Sequence, residues 1–391
     1  MAHVLIGFAE ALPAAEVLFS LRNAGHEVSI FASKSGTPLE YLSPKRLIVL
    51  PDPARDSAAA IATLKAVMTA SDAPDVILPL DDNGLWLIDK ALGDDPRCAG
   101  ATGQRVNVSL DKALQIAIAQ RVGLPTPPTI AILKPDDLDK ISTFPTIIKP
   151  ALAVREREGR LGKGDATYLM QPKDTAALKA TLDEGMEPLI AQPLIEGIGE
   201  GVFGHATSEG IVAWSGHRRG RMMNPHGSGS SACISLMPDA DLRDQVAAFI
   251  TSIGWRGPFM MEMLRDAEGT AWFMELNGRM WGSLALARRQ GLEYPAWAVA
   301  STISPEFQLV VPKSTQSSAI QRHLGRDLLH LLFVLRGPKT DFHRKGWPRF
   351  WRSALGVFKP THPRAFYNYD PSHRSYFLRD ALWTMRKAFR K

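Results

Sequence analysis

Residues 260–279 read MMEMLRDAEGTAWFMELNGR, and two acids in this stretch stand where acids are least expected. Glu262 is set among Phe259, Met260, Met261 and Met263, and Glu275 among Trp272, Phe273, Met274 and Leu276. The segment 265–269 between the apolar runs has the composition of a β-hairpin turn. Residues two apart on a strand share a face, so Glu275 and Asn277 point together, and strand pairing brings Glu262 beside them. Three hard oxygen donors on a rigid sheet suit Mg²⁺, which favours carboxylates, waters and substrate phosphates. The alternative is a pair of solvated acids on the polar face of a hairpin. Unpaired acids seldom sit in such apolar runs, which favours the metal.

Upstream, 4–9 (VLIGFA) reads as a buried strand running into a small-residue turn. Residues 14–24 have helical periodicity stopped by Gly25, and 27–31, 47–50 and 76–80 read as further strands. Strands alternating with helices over roughly the first hundred residues indicate a parallel α/β layer. The first turn lacks GxGxxG, so no dinucleotide site announces itself. Asp81 and Asp82 follow the strand ending at Leu80, a place that serves either a ligand or the N-cap of the next helix. Ser109-Leu110-Asp111-Lys112 opens a helix running to Val122, and 144–150 (FPTIIKP) is a short apolar strand carrying Lys149. The charged, glycine-punctuated segment 153–167 (AVREREGRLGKGDAT) reads as a mobile loop. Strands follow at 189–195 and on either side of a Ser208-Glu209-Gly210 turn, and 241–253 is a helix leading into the acidic hairpin.

The chain has 391 residues, 45% hydrophobic and 22% charged, which is an ordinary globular composition spread over two or three domains. Its two cysteines, Cys98 and Cys233, form neither a disulfide framework nor a zinc pattern, so a reducing, cytoplasmic setting is expected. The N-terminus lacks a basic leader, and Glu10 and Glu16 interrupt its apolar run, unlike a signal peptide. No apolar run is long enough to span a bilayer. The net charge of +6 is uneven: residues 311–391 hold 17 Lys/Arg against 4 Asp/Glu, a net of +13, and the rest carries −7. From about residue 320 the chain mixes aromatics with basic residues. Residues 376–391 place Phe377, Leu378, Ala381, Leu382, Met385 and Phe389 on a helical stripe with Arg379, Arg386, Lys387 and Arg390 off it. Three uses compete for this tail: a module that packs on the core and shapes a pocket, a peripheral contact with an anionic membrane surface, or a nucleic-acid contact. No nucleic-acid motif is present, so the last is the weakest.

Taken in order, these pieces resemble the ATP-grasp superfamily over about residues 1–310. Glu262 followed by Glu275-Leu276-Asn277-Gly278-Arg279 is similar to that family's metal and phosphate signature. Asp111-Lys112, Ile148-Lys149-Pro150 and the glycine-containing segment stand in the right order before it. Within the superfamily, Gly216-His217-Arg218-Arg219 and 278–283 (GRMWGS) look most like stand-alone carbamoyl-phosphate-synthase-like or carboxylate–amine ligase proteins. The resemblance implies an α/β and α+β architecture in three parts. These are a Rossmann-like pre-ATP-grasp domain (1–108), a two-lobed ATP-grasp domain (109–315) with a lid over 153–167, and a basic, partly helical C-terminal extension (316–391).

The resemblance also implies roles. Glu262, Glu275 and Asn277 hold Mg²⁺ or Mn²⁺, and Lys149 and Lys112 contact the phosphates of ATP. Gly162 and Gly164 let the lid approach the triphosphate, Gln192 to Ile195 form the adenine hinge, and Glu200 takes the ribose hydroxyls. Gln192-Pro193 stands where the family more usually has an acid. Arg279 meets the γ-phosphate or an acyl phosphate, and Arg218, with His217, Arg219 and Arg221, binds the carboxylate substrate or phosphate. The same basic group also fits a solvated strand end. Trp281, Gly282 and Ser283 line the acceptor pocket. The implied reaction is ATP-dependent joining of a small-molecule carboxylate to an amine, in a protein that is either monomer or homodimer. A non-catalytic nucleotide-binding regulator, or a kinase or carboxylase on the same scaffold, is the alternative.

Overall fold

The computed structural model describes residues 1–183, 185–227, 229–304, 306–312, 319–339, 341–344 and 346–389. The N-terminal part runs β1 (His3–Gly7), α1 (Ala14–Asn23), β2 (Glu27–Ala32), β3 (Leu47–Val49), α2 (Ser57–Thr69), β4 (Val76–Pro79) and α3 (Asp82–Leu92). Its four strands form a parallel sheet in the order β3-β2-β1-β4. Such strands read as unbroken apolar runs because both faces are covered. Val4 and Ile6 pack with Val17, Leu18 and Leu21 of α1, while Leu5 packs with Leu64 of α2 and Ile88 of α3. Asp81 is the N-cap of α3, accepting from Gly84 N at 2.7 Å, so Asp82 starts the helix at the carboxyl end of β4.

The helix expected from 109 onward is two helices, α4 (Gln104–Leu110) and α5 (Lys112–Arg121). Asp111 between them is extended, and its side chain caps α5 by accepting from Leu114 N at 3.1 Å. Next come β5 (Ile130–Ile132), β6 (Thr146–Pro150), β7 (Arg155–Arg157), β8 (Arg160–Gly162), β9 (Thr167–Leu169), α6 (Pro172–Lys179) and β10 (Leu189–Pro193). Four of these make an antiparallel sheet ordered β5-β10-β6-β9, and β7 and β8 make a separate hairpin. The segment read as a mobile loop is thus an ordered hairpin. Glu158 and Gly159 at its tip have φ of 51° and 74°, as a tight two-residue hairpin turn requires. Leu161 is buried, and the hairpin docks on the first domain: Ser57 N donates to Gly159 O and Leu161 N to Pro53 O, both at 2.8 Å.

The rest contains β11 (Ile198–Ala206), β12 (Ile211–Met222), β13 (Ser230–Ser235), α7 (Ala240–Ser252), β14 (Gly257–Arg265), β15 (Ala271–Asn277), α8 (Leu284–Arg289), α9 (Tyr294–Ile303) and β16 (Ile320–Arg322). The six strands form an antiparallel sheet ordered β15-β14-β11-β12-β13-β16. Val202, Met261 and Met263 on one face pack on Val246, Phe249 and Ile250 of α7. Phe203 and Met260, on the other face, pack with Trp281 and Tyr294.

The C-terminal extension is built into this sheet rather than appended to it, because β16 pairs with β13. The glycine/serine run 227–231 gave no strand signal, yet β13 begins within it; Ser228 lies outside the described residues. So does the junction placed at 315/316. The extension continues as α10 (Leu324–Arg336), α11 (Asp341–Arg344), α12 (Phe350–Phe358) and α13 (Tyr376–Phe389). Helix α13 packs closely on α10: a Cβ at Gly325 would stand 2.8 Å from Ala381 O. Tyr376 and Ala381 of α13 are buried, Leu378, Leu382 and Phe389 are exposed, and Arg390 and Lys391 lie outside the described residues. No helix among the described residues is long and apolar enough to cross a membrane. Cys98 and Cys233 are buried and free.

Candidate active site

Antiparallel pairing puts Glu262 of β14 directly opposite Glu275 of β15, with Asn277 opposite Met260 one pleat further on. Asn277 Nδ2 donates to Met260 Sδ at 3.1 Å, which leaves its amide oxygen for another partner. Burial, and then the neighbouring Glu262, push the Glu275 carboxyl above the usual carboxylate range. Lys112, at the start of α5, opposes that shift from 3.8 Å. Part-buried like charges held this close favour a cation between them, and an all-oxygen set on rigid strands fits Mg²⁺.

Two cavities meet at these residues. The first, of about 200 Å³, is lined by Lys112, Lys163, Gly164, Asp82, Glu275 and Asn277. The second, of about 250 Å³, is lined among others by Glu262, Asn277, Arg279, Arg219, His217 and Trp281. Asn277 lines both. Asp82 sits at the junction of three parts of the chain. It accepts from Arg279 Nε at 3.0 Å and from Lys163 Nζ of the hairpin segment at 2.9 Å. Although burial opposes ionisation, Arg279 and Lys163 hold its pKa well below the usual range. Both readings of Asp81-Asp82 hold: Asp81 caps a helix and also lines the second cavity, and Asp82 lines the first.

Lys149, at the end of β6, is close enough to Glu275, Lys112 and Glu262 to feel their charges, and burial lowers its pKa. It donates to Gln192 Oε1 at 3.2 Å. Gln192 Nε2 donates to Thr129 Oγ1 at 2.9 Å, so both ends of the buried Gln192 side chain are engaged. Ile195 lies just past β10 and is part-exposed. Gly164 lies against Pro150, where a Cβ would come within 2.4 Å of Pro150 Cγ. Gly162 pairs with Arg155 in the hairpin and lines neither cavity. The cavity wall includes Trp281, Gly282 and Ser283.

Two expected site residues are elsewhere. Glu200 pairs with Met263 and Arg218, while its neighbour Gly201 pairs with Glu262 and His217. Side chains alternate between faces along a strand, so Glu200 and Arg218 project from the face opposite the acidic pair. There the buried Glu200 accepts from Arg218 Nη2 at 2.7 Å and from Arg265 Nε at 2.8 Å, so both its oxygens are taken. Arg219 is the arginine that reaches the site, donating to Glu262 Oε2 at 2.7 Å. Arg219→Ala is expected to lower turnover by about 10²-fold, whereas Arg218→Ala keeps it within about twofold; steady-state ADP release compares them.

His217 is buried, its Nδ1 2.7 Å from Ser283 Oγ and its Nε2 without a partner. Burial, with Arg219 beside it, lowers its pKa to about 3, so it is neutral at ordinary pH and a poor general base. Sequence reasoning did not single out Lys163, Arg326 or Tyr367, the last two of which line the second cavity from the C-terminal extension.

The parallel α/β layer, the small antiparallel sheet with its docked hairpin, and the larger antiparallel sheet give this chain an ATP-grasp fold. No protein-family model matches the sequence, and no curated protein matches it. Solved structures do resemble it. The N5-carboxyaminoimidazole synthetase from Staphylococcus aureus superposes with a TM-score of 0.61 at 16% identity, covering 84% of this chain and 83% of that one. The biotin carboxylase from Campylobacter jejuni, in its β-γ-ATP complex, gives 0.62 at 17% identity over 82% and 75%. The L-amino acid ligase from Bacillus licheniformis gives 0.57 at 16% identity over 78% and 74%.

Proposed function

We propose that this protein is an ATP-dependent ligase that activates a carboxylate as an acyl phosphate and joins it to an amine. The observation that carries the reading is the cross-strand pair Glu262–Glu275 with Asn277, placed where two cavities meet among Lys112, Lys149, Lys163 and Arg279. Structural neighbours solved with nucleotides, including the β-γ-ATP complex above, support ATP as the co-substrate. Glu262, Glu275 and Asn277 would hold Mg²⁺, which supplies charge neutralisation between the phosphates and the incoming carboxylate. Lys112 and Lys163 bind and orient the triphosphate in the first cavity, with the charge of Lys149 close by. Arg279 clamps the transferring phosphoryl group from the second, where the acid waits. The attacking carboxylate oxygen forms a bond to the γ-phosphorus as the bond to the ADP oxygen breaks. The amine then displaces phosphate at the acyl carbon and gives up a proton. The docked hairpin excludes water, which would otherwise hydrolyse the acyl phosphate.

The test is ADP release with Mg-ATP against a panel of acids and amines, for the wild type and Glu275→Gln. Release that needs both an acid and an amine supports the ligase. A phosphorylated product that accumulates without any amine points to a kinase. Absence of Mg-ATP binding by the wild type removes the reading altogether.

A contact with an anionic bilayer is a separate proposal. Trp351, Leu355 and Phe358 lie at helical spacing on α12 and are 78%, 76% and 68% exposed, beside Arg352 and Lys359. Co-flotation with phosphatidylserine vesicles at low salt, lost in Trp351→Ser/Leu355→Ser, is the expected result. Equal recovery of both proteins in the vesicle fraction rejects it.

A further inference from the structure

Three arginines reach the second cavity, and they are not in the same electrostatic state. Arg219 is paired with Glu262 and Arg279 with Asp82. Arg326, in the first turn of α10, has no carboxylate at salt-bridge distance among the described residues. Its guanidinium donates from Nη1 to Ser230 O at 3.0 Å. Burial pulls its pKa below the usual arginine value, and the nearby Asp380 carboxylate, which is paired with His323 at 2.9 Å, opposes this only in part. A guanidinium offers five N–H donors in a planar fork, and a single backbone carbonyl leaves most of them for an oxyanion. In the same cavity, His217 Nε2 is buried without a partner among the described residues, and Tyr367 is part of the lining.

The sheet sets the span. Arg326 binds the backbone of β13, while Glu262 stands on β14, three strands away in the order β14-β11-β12-β13. At about 4.8 Å per strand this separates the two ends of the cavity by roughly 14 Å at the backbone, and side chains fill in from both ends. Leu12, Met260 and Trp281 give the walls an apolar character. At about 250 Å³ the space is smaller than the ~300–1,000 Å³ that drug-sized ligands occupy, so it suits a compact molecule.

We propose that the acid activated beside Glu262 and Arg279 is dianionic, and that Arg326 of the C-terminal extension holds its second anionic group, a carboxylate or a phosphate. The inference rests on the ligase reading and names the substrate class for it. The extension thereby acts in specificity: β16 ties it into the sheet, and α10 carries the anchor to the cavity.

The experiment measures ADP release with Mg-ATP and ammonia for matched acids: propionate and butyrate against succinate, glutarate and 2-carboxyethyl phosphate. Wild type, Arg326→Met and Arg326→Lys are compared. The expected result is turnover with the dianionic acids, and an Arg326→Met KM for them raised roughly 10- to 100-fold, as loss of a charged hydrogen-bonded contact implies. KM for ATP stays within about twofold, and Arg326→Lys recovers part of the loss. A phosphate-bearing acid preferred over succinate and glutarate assigns the anchor to phosphate, and the reverse preference to carboxylate. Thermal shifts of the wild type and Arg326→Met with succinate and inorganic phosphate, in the presence of Mg²⁺ and a non-hydrolysable ATP analogue, provide a readout independent of turnover. Shifts confined to the wild type support the anchor. Equal shifts, or none in either protein, overturn it. Monoanionic acids used as well as dianionic ones overturn it and leave the ligase reading standing. A wild type that binds no Mg-ATP removes both.

Discussion

Glu275→Gln should lower ADP release by about 10³-fold or more, the scale of losing a group that stabilises transition-state charge, while the metal-free protein becomes no less stable. Glu275 is part-buried opposite Glu262, and its folded-state pKa is raised above the unfolded value. A carboxyl with a raised pKa burdens the fold when ionised, so the penalty is absent below the unfolded pKa and complete once pH exceeds the folded pKa. At pH 8 without Mg²⁺ the Glu275→Gln variant should therefore melt at the wild-type temperature or above it. The difference should shrink as pH falls through the folded pKa towards the unfolded value of about 4.3. Mg²⁺ should stabilise the wild type and leave the variant unmoved. Calorimetric scans across pH, with and without Mg²⁺, give all three results, and a marked loss of stability in the metal-free variant would mean the pair is structural.

Glu16→Ala should destabilise the whole chain by about 3–5 kcal/mol, the scale of breaking a buried ion pair. Glu16 lies on α1 and is 1% exposed. Its carboxylate pairs with Arg288 Nη1 of α8, lies 3.5 Å from Arg289 Nη2, and accepts from the backbone N of Asn368 at 2.8 Å. One side chain thus ties the first domain, the sheet domain and the extension together. Removing it leaves Arg288 buried with Glu293 alone, at 2.9 Å. Glu16→Gln keeps an acceptor for Asn368 and should cost less. Denaturant titration of both variants checks the order, and a change confined to one domain would show that the tie is local.

The acidic hairpin was legible in part: period 2 puts Glu275 and Asn277 on one face, but the turn alone would set Glu262 opposite Met274, and the register shift between Glu262 and Met263 brings the two acids together. Arg218 and Glu200 were misplaced because strand parity is not local. Which of two adjacent arginines faces the site depends on the register of β12 against β11, and that ladder is irregular between Phe203 and His205. Strand β13 hid in a glycine/serine run because, although β12 is its neighbour in the chain, its other partner β16 comes about 90 residues later. Segment 153–167 was read from its glycines as a loop, whereas Leu161 and the hydrogen bonds to Pro53 and Ser57 make it a docked hairpin. Glu16 was visible only as an acid interrupting an apolar run. Its partners lie about 270 and 350 residues away, beyond any window of local pattern.

Under the proposed function, Asp82 would give the nucleotide a rival. Its carboxylate already neutralises Arg279 and Lys163, two of the cations that a triphosphate would use. Phosphate arrival is then an exchange rather than an addition: one anion leaves both cations as another takes them. The rival is tethered, so it competes at an effective concentration of about millimolar or more that dilution cannot lower. Under the proposed function, Asp82 would thus lower the apparent affinity for the triphosphate, and a carboxylate at the end of β4 would tune how tightly the site holds its nucleotide.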